Sequence, residues 1–284
     1  MKKIKEPLMH FVFLLAACAS ICAVALICVF LFANGVPAMQ KVGIFDFLLG
    51  SKWRPGNDIY GILPMIVGSL YVTAGAILFG VPIGILSAVY MARFCPKKIY
   101  RLLKPAVELL AGIPSVVYGL VGMIVLVPGI QKAFGLSSGA CLLAAIVVLA
   151  IMILPSIISV SETSLRAVPE EYEQASLALG ATHERSVFFA QLPAATSGVM
   201  SGVILGVGRA IGETMAVIMI AGNQPIMPRG LLEGLRTMTA NVVLEMGYAS
   251  GLHRRALIAT GVVLFVFILI INTCFSLLKR RDQR

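Results

Sequence analysis

An all-α integral membrane protein with six transmembrane helices is the fold class that this sequence predicts. Three observations predict it. Of the 284 residues, 59% are hydrophobic and only 13% are charged, whereas soluble domains carry about a quarter charged residues. Apolar runs recur along the chain, several as long as the roughly 20 residues that cross a hydrocarbon core about 30 Å thick. Between two of those runs lies a polar, acid-rich helix–turn–helix, Glu170-Glu171-Tyr172-Glu173-Gln174-Ala175-Ser176-Leu177-Ala178-Leu179-Gly180-Ala181, closed by Leu192-Pro193. A chain otherwise given over to the bilayer has little use for such a segment unless something outside the bilayer docks on it.

The first span runs from about Phe11 to Ala33, behind the basic opening Met1-Lys2-Lys3-Ile4-Lys5. It is too long for the apolar region of a signal peptide, about 7–15 residues, and is expected to stay in the membrane. The second runs from about Leu63 to Ala92, the third from about Ala106 to Val127 and the fourth from about Cys141 to Val160. The fifth covers about Ala194 to Ala221 and the sixth about Ala256 to Leu278. Residues 1–60 therefore read as a tail, one span and an external loop, ahead of a core from 61 to 284. Gly75, Gly80, Pro82 and Gly84 interrupt the second span; Gly112, Pro114, Gly119, Gly122 and Pro128 punctuate the third. Small residues let helices approach closely, and prolines free backbone groups that protein or water must satisfy. For the third span, lining a path and plain packing both remain open.

Orientation follows from the short basic segments. Lys2, Lys3 and Lys5 precede the first span; Arg93, Lys97, Lys98, Arg101 and Lys104 link the second to the third; Lys279, Arg280, Arg281 and Arg284 follow the last. With six spans all three fall on one side, so both termini are expected to be cytoplasmic. The link after the third span carries only Lys132, as an external loop should, but the external segment from Gly222 to Arg255 holds Arg229, Arg236, Arg254 and Arg255 and fits less well. The net charge of +10 sits at span ends, without the basic stripe and interleaved aromatics of a nucleic-acid reader. Five of the six cysteines (Cys18, Cys22, Cys28, Cys95, Cys141, Cys274) lie in apolar runs with no C-x-x-C pair, so they read as polarizable filler.

Within the docking segment, Pro169 suits a first helical position, and Glu170 and Glu171 complement the helix dipole. Gly180 can end that helix in a left-handed conformation, and Thr182 can cap the next, which must stop near Pro193. Ala175, Ser176 and Leu179 share a face, a shallow surface suited to a groove in another protein. A helix lying on the membrane would instead carry a Lys/Arg-rich polar face.

This segment resembles the coupling-helix motif of ABC importer permeases, written E-A-A, then a glycine, then L-P. Aligned on Gly180 and Leu192-Pro193, its alanines fall on Ala175 and Ser176, and its glutamate slot falls on Gln174, with Glu173 one position earlier. Gly112-Ile113-Pro114-Ser115-Val116-Val117-Tyr118-Gly119 and Gly208-Arg209-Ala210-Ile211-Gly212-Glu213-Thr214-Met215-Ala216 are similar to motifs of phosphate-importer permeases. The run Ala221-Gly222-Asn223-Gln224 resembles the PstC-type subunit more than its PstA-type partner. The resemblance implies the type I importer permease fold in a bacterial plasma membrane. It also implies an assembly with a second permease, two copies of a cytoplasmic ATPase and an extracytoplasmic phosphate-binding protein.

Arg209 and Glu213 stand out without any family. A mid-span arginine costs about 2.5–3.5 kcal/mol on insertion scales, so such residues face protein or a water-filled cavity. On a continuous helix the i, i+4 spacing stacks the two side chains, on a face shared with Gly198, Gly202 and Gly206. Two readings compete. In one the pair neutralises itself and pins neighbouring helices; in the other Arg209 offers its planar fork to phosphate oxygens, with Glu213 accepting from a protonated one. Ser115, Tyr118, Thr214 and Asn223 are further polar candidates near the path.

No G-x-x-x-x-G-K-[ST] or H-E-x-x-H occurs, and His10, His183 and His253 are scattered. The chain is therefore expected to be no enzyme itself, to need no cofactor or metal, and to take its energy from a partner or an ion gradient. The alternatives are a permease for another oxyanion, sulfate or molybdate, and a secondary carrier. A secondary carrier predicts internal repeats and buried coupling acids.

Overall fold

The computed structural model describes residues 2–281. Met1 and Arg284, counted above in the flanking segments, lie outside the described residues. A long α1 (Lys2–Val42) leads into α2 (Ile44–Leu49) and a two-stranded antiparallel hairpin, β1 (Trp53–Arg54) with β2 (Ile59–Tyr60). Then α3 (Leu63–Val89) runs through a π-helical turn to Phe94, and α4 (Lys97–Gly112) follows. Next, α5 (Ser115–Val121) passes through a second π-helical turn into α6 (Val127–Phe134), before α7 (Leu142–Arg166). The docking segment forms α8 (Glu171–Ala178), α9 (His183–Ser186) and, after a third π-helical turn, α10 (Leu192–Ala194). The chain closes with α11 (Thr196–Gly212), α12 (Met215–Ile220), α13 (Met238–Met246) and α14 (Gly251–Arg281).

Among the described residues five helices are long and apolar enough to cross a membrane: Met9–Val42, Leu63–Phe94, Ser115–Phe134, Leu142–Arg166 and Gly251–Cys274. A sixth is the pair His183–Ala194 and Thr196–Gly212, bent by 72°. Three expectations need correction. The first helix does not end near Ala33 but continues to Val42. At 1.5 Å per residue its 41 residues reach about 60 Å, twice a hydrocarbon core. The third span opens at Ser115 rather than Ala106, because Pro114 holds Ile113 extended (ψ 126°) and separates α4 from α5. The fifth is not one helix to Ala221, since α11 stops at Gly212 and α12 starts afresh at Met215.

The bundle is assembled on α7, for a steric reason. Ile146, Ile153 and Ile157 of α7 occupy the space beside Gly75, Gly80 and Gly84 of α3, 2.4, 2.6 and 2.8 Å from where a Cβ would stand. On the other side, Gly198, Gly202 and Gly206 of α11 receive Ser164, Ser161 and Ile157. Lipid is as apolar as leucine, so helices in a bilayer associate by close packing, and facing glycines permit it. Against α14 lies α1, with Gly35 on Ala259 and Val262, and Phe32 edge-on to Phe265. At the end opposite the docking segment, Phe47, Trp53, Tyr60, Ile62, Met238 and Leu257 form a separate buried cluster.

Candidate functional site

The docking segment is an elbow between α7 and α11. Gly180 adopts φ +86° with open space where a side chain would stand, so α8 ends in the left-handed turn expected of it. Thr182 Oγ1 accepts from Arg185 N at 3.3 Å and caps α9. Pro169 does not open α8. It stands before the cap residue Glu170, and its carbonyl accepts from Tyr172 N. The second helix stops near Pro193 as expected, at Ala194, and after a π-helical turn and the proline the chain bends by 72° into α11.

The residues of this elbow divide into two sets. Gln174 and Ala175 are exposed, Ser176 is half-buried, and Leu179 is 90% exposed, so the outward face is small, shallow and uncharged at its tip. Glu173 turns inward. Its Oε1 meets His183 Nδ1 at 2.8 Å, its Oε2 accepts from Gln191 Nε2 at 3.0 Å, and Arg93 Nη1 lies 3.9 Å away. Arg93 also donates to the carbonyls of Leu165 and Val168 at the end of α7. Leu192 packs beside Ala88, Val89 and Leu165, while Pro193 is exposed. Glu173 of α8 is thus bonded to α9 and the π-helical turn after it, and through Arg93 to the chain ends that follow α3 and α7.

Midway along the bundle two helices are broken side by side. Ile113-Pro114 separates α4 from α5, and Tyr118 OH reaches back over the break to the Leu110 carbonyl at 2.9 Å. Glu213-Thr214 separates α11 from α12. There Glu213 is extended (ψ 131°), its Oε1 accepts from Ala216 N at 3.1 Å, and Thr214 Oγ1 donates to the Gly212 carbonyl. The two half-helices that follow touch, Gly119 of α5 lying against Ala216 and Met219 of α12. Broken helices near a bundle's middle leave backbone groups and polar side chains free to meet a solute.

Arg209 sits one turn before that break. It is half-buried, and its Nη1 is 3.5 Å from Ser156 Oγ of α7. The expected stack of Arg209 on Glu213 is not formed. Because the helix ends at Gly212, the two side chains diverge, Arg209 toward α7 and Glu213 into the cap of α12. Ser115 opens α5 at the other break. Asn223 lies apart, at the far end of α12, where φ +53° and a bond from Nδ2 to the Ile218 carbonyl terminate that helix.

Residues 80–282 match the family described as binding-protein-dependent transport system inner membrane component. The chain belongs to that permease family. The permease is 37% identical over 272 residues to the probable ABC transporter permease protein YqgH of Bacillus subtilis, covering 91% of this chain and 88% of the relative. It is 35% identical over 275 residues to the phosphate transport system permease protein PstC of Mesorhizobium japonicum, covering 89% and 84%. A chain of the inward-facing MetNI methionine ABC transporter superposes with TM-score 0.64 at 21% identity, over 82% of the permease and all of that chain. A chain of the bacterial alginate ABC transporter, with its pentasaccharide-bound periplasmic protein, gives 0.63 at 15% identity over 95% and 94%. The permease therefore has the fold of type I ABC importer permeases.

Two ionic clusters of the permease escaped the sequence reading. Glu162, 1% exposed on α7, accepts from Lys104 Nζ at 2.8 Å and Tyr100 OH at 2.9 Å and pairs with Arg166, which also donates to the Met91 carbonyl. The only local signal was an acid and a base at i, i+4 where an apolar run ends. The second joins Arg236, Glu245, His253 and Trp53. It accounts for one misfit of the orientation count, because Arg236 is spoken for by Glu245 at 2.6 Å.

Proposed function

We propose that this permease is one membrane-spanning half of an ATP-driven phosphate importer, a PstC-type subunit in a bacterial plasma membrane with both termini cytoplasmic. The observation that carries this reading is the elbow. A shallow, exposed small-residue helix with a left-handed glycine lies in the chain between the two helices that border the broken mid-section. A soluble ATPase gripping α8 would tilt α7 and α11 together, and the path beside Arg209 would alternate between the two faces. ATP hydrolysis belongs to that partner, present in two copies. Residues 61–284 form the transport core, and residues 1–60 add a tail, a helix and an external loop.

A second, PstA-type permease would cover the outward face of α5, where Val116, Val117 and Val121 are exposed. A binding protein would deliver phosphate at the end opposite the elbow. Arg209 supplies the planar fork that suits phosphate oxygens, with Ser156 beside it and Ser115, Tyr118, Glu213 and Thr214 at the two breaks. The identity of the anion rests on the likeness to PstC of other bacteria. A permease for another oxyanion, sulfate or molybdate, is the alternative reading.

The deciding experiment is uptake into vesicles that hold the full complex, with phosphate competed against sulfate and molybdate. ATP-dependent uptake selective for phosphate is expected. Preference for either competitor transfers the reading to that anion, and uptake driven by an ion gradient without the ATPase ends it. Gly180→Val places a β-branched residue in the left-handed region at a cost of roughly 1–2 kcal/mol. Its expected effect is loss of most co-purifying ATPase while the permease still inserts.

A further inference from the structure

At the end opposite the elbow lies a buried ionic cluster that neither the docking segment nor the Arg209 path uses. Its centre is Glu245 of α13, 6% exposed. Glu245 Oε1 accepts from Arg236 Nη1 at 2.6 Å, and Oε2 accepts from Trp53 Nε1 at 2.9 Å and meets His253 Nε2 at 2.8 Å. Three pieces of chain thus converge on one carboxylate: the β1–β2 hairpin, the loop before α13 and the first turn of α14. Trp53 precedes the family-matched region, residues 80–282, so the hairpin adds a grip to a cluster otherwise made within that region.

Arg236 also reaches the other way. Its Nε donates to the Asn223 carbonyl at 2.9 Å and its Nη1 to Asn241 Oδ1 at 3.0 Å. Asn223 closes α12, where Leu235 N adds a bond to the Ala221 carbonyl at 2.8 Å. From α13, Thr239 Oγ1 donates to the Glu213 carbonyl at 3.1 Å, at the opposite end of the same half-helix. Both ends of α12 are therefore held from one short stretch, residues 235–239: the C-terminal end by Leu235 and by Arg236 of the cluster, the N-terminal end by Thr239. A helix of six residues is too short to be stable alone, so its position depends on what grips its ends. Two atoms beside Arg236, Asn223 Oδ1 and Asn241 Nδ2, are buried without a partner.

We infer that Arg236 and Glu245 are positioning residues for transport: their ion pair clamps α12, and with it the Glu213 turn next to Arg209, and release of the clamp lets the half-helix move. The inference rests on the transport reading above. Neither residue touches the passing ion; both act through α12.

The test uses the complete complex in vesicles, with ATP hydrolysis measured with and without phosphate-loaded binding protein. Arg236→Lys and Glu245→Gln keep size and polarity while weakening the pair; Trp53→Phe removes one donor and keeps a ring. Expected for the first two is a rise of about five-fold in basal hydrolysis, the lower end of typical coupling, and loss of further stimulation by the binding protein. Trp53→Phe should move both quantities the same way, by less. A merely structural role lowers basal and stimulated hydrolysis in proportion, and an unchanged ratio overturns the inference. Where Glu245→Gln fails to assemble, Trp53→Phe and Thr239→Val decide, the latter cutting the link to Glu213 without touching a charge. Phosphate uptake by the unaltered complex is measured in the same vesicles. Its absence sinks the transport reading, whereas normal uptake with unchanged ratios in the variants sinks the clamp alone.

Discussion

Replacing Arg209 by lysine separates charge from shape. Lysine keeps the positive charge that Ser156 faces but loses the two-pronged donor geometry. If the guanidinium contacts the passing anion, phosphate uptake in Arg209→Lys falls about ten-fold, a loss of roughly 1.4 kcal/mol of transition-state stabilisation. Near-normal uptake removes direct contact and leaves a packing role. The neighbouring positions Glu173 and Gln174 pose a different contrast. The family-like alignment puts the glutamate slot on Gln174, yet Gln174 is exposed while Glu173 holds His183 and Gln191, with Arg93 in ion-pair range. Glu173→Ala deprives those groups of their acceptor, at about 1–3 kcal/mol for an unmet buried partner. Amide hydrogen exchange across residues 169–193 should accelerate in Glu173→Ala and stay unchanged in Gln174→Ala. Equal exchange in both would mean that the inward bonds do not brace the elbow.

The glycine faces of α3 and α11 against α7 make a sharper test of what holds the bundle together. A Cβ at Gly206 would stand 2.8 Å from Ile157, which is itself fully buried. Gly206→Val therefore overpacks the α7–α11 contact, at a typical cost of 1–3 kcal/mol. Thermal unfolding in detergent should shift down by several degrees and recover in part when Ile157→Ala is added. No shift would mean that α7 is not the rod on which the bundle rests. These elements were legible to different degrees. The spans came from hydropathy, and the left-handed Gly180 and the Thr182 cap from local residue chemistry, because each depends on a few adjacent residues. The break at Ile113-Pro114 also had a local cause in the proline, although an apolar run across it reads as continuous. The break at Glu213 has local bonds too, from Ala216 N to Glu213 Oε1 and from Thr214 Oγ1 to the Gly212 carbonyl, but they are not the whole of it. It is fixed partly by Thr239, which donates to the Glu213 carbonyl from an element 26 positions on, and no window of sequence contains both. Glu162 was missed for the same reason, its partner Lys104 arriving from 58 positions away. What stayed hidden is what long-range side-chain bonds decide.

At the scale of the whole molecule, the cluster around Glu245 joins the first 60 residues to the core and titrates in a window that can be derived. Burial alone pushes the Glu245 carboxyl up. Hydrogen bonds from Trp53, His253 and Arg236, and the charge of Arg236, more than offset this and hold it below the ordinary glutamate value of 4.5. The unfolded chain therefore binds the proton more readily than the folded one, and stability rises with pH across that interval. The contribution is complete above about pH 4.5 and drains away as pH falls through the lower, folded value. Tyr60, in the same cluster, does not interfere. Burial and the adjacent Asp58 push it up to about 12, so its hydroxyl keeps its proton throughout. Trp53 is the only tryptophan in the chain and donates to this carboxylate, so its emission reports the state of the cluster. For the isolated permease in nanodiscs, emission should shift to the red below about pH 4.5, before helical circular dichroism is lost. In Glu245→Gln, with no carboxylate to protonate, that early step should vanish. If the red shift survives in that variant, or coincides with loss of the whole helical signal, Glu245 is not what ties the hairpin to the core.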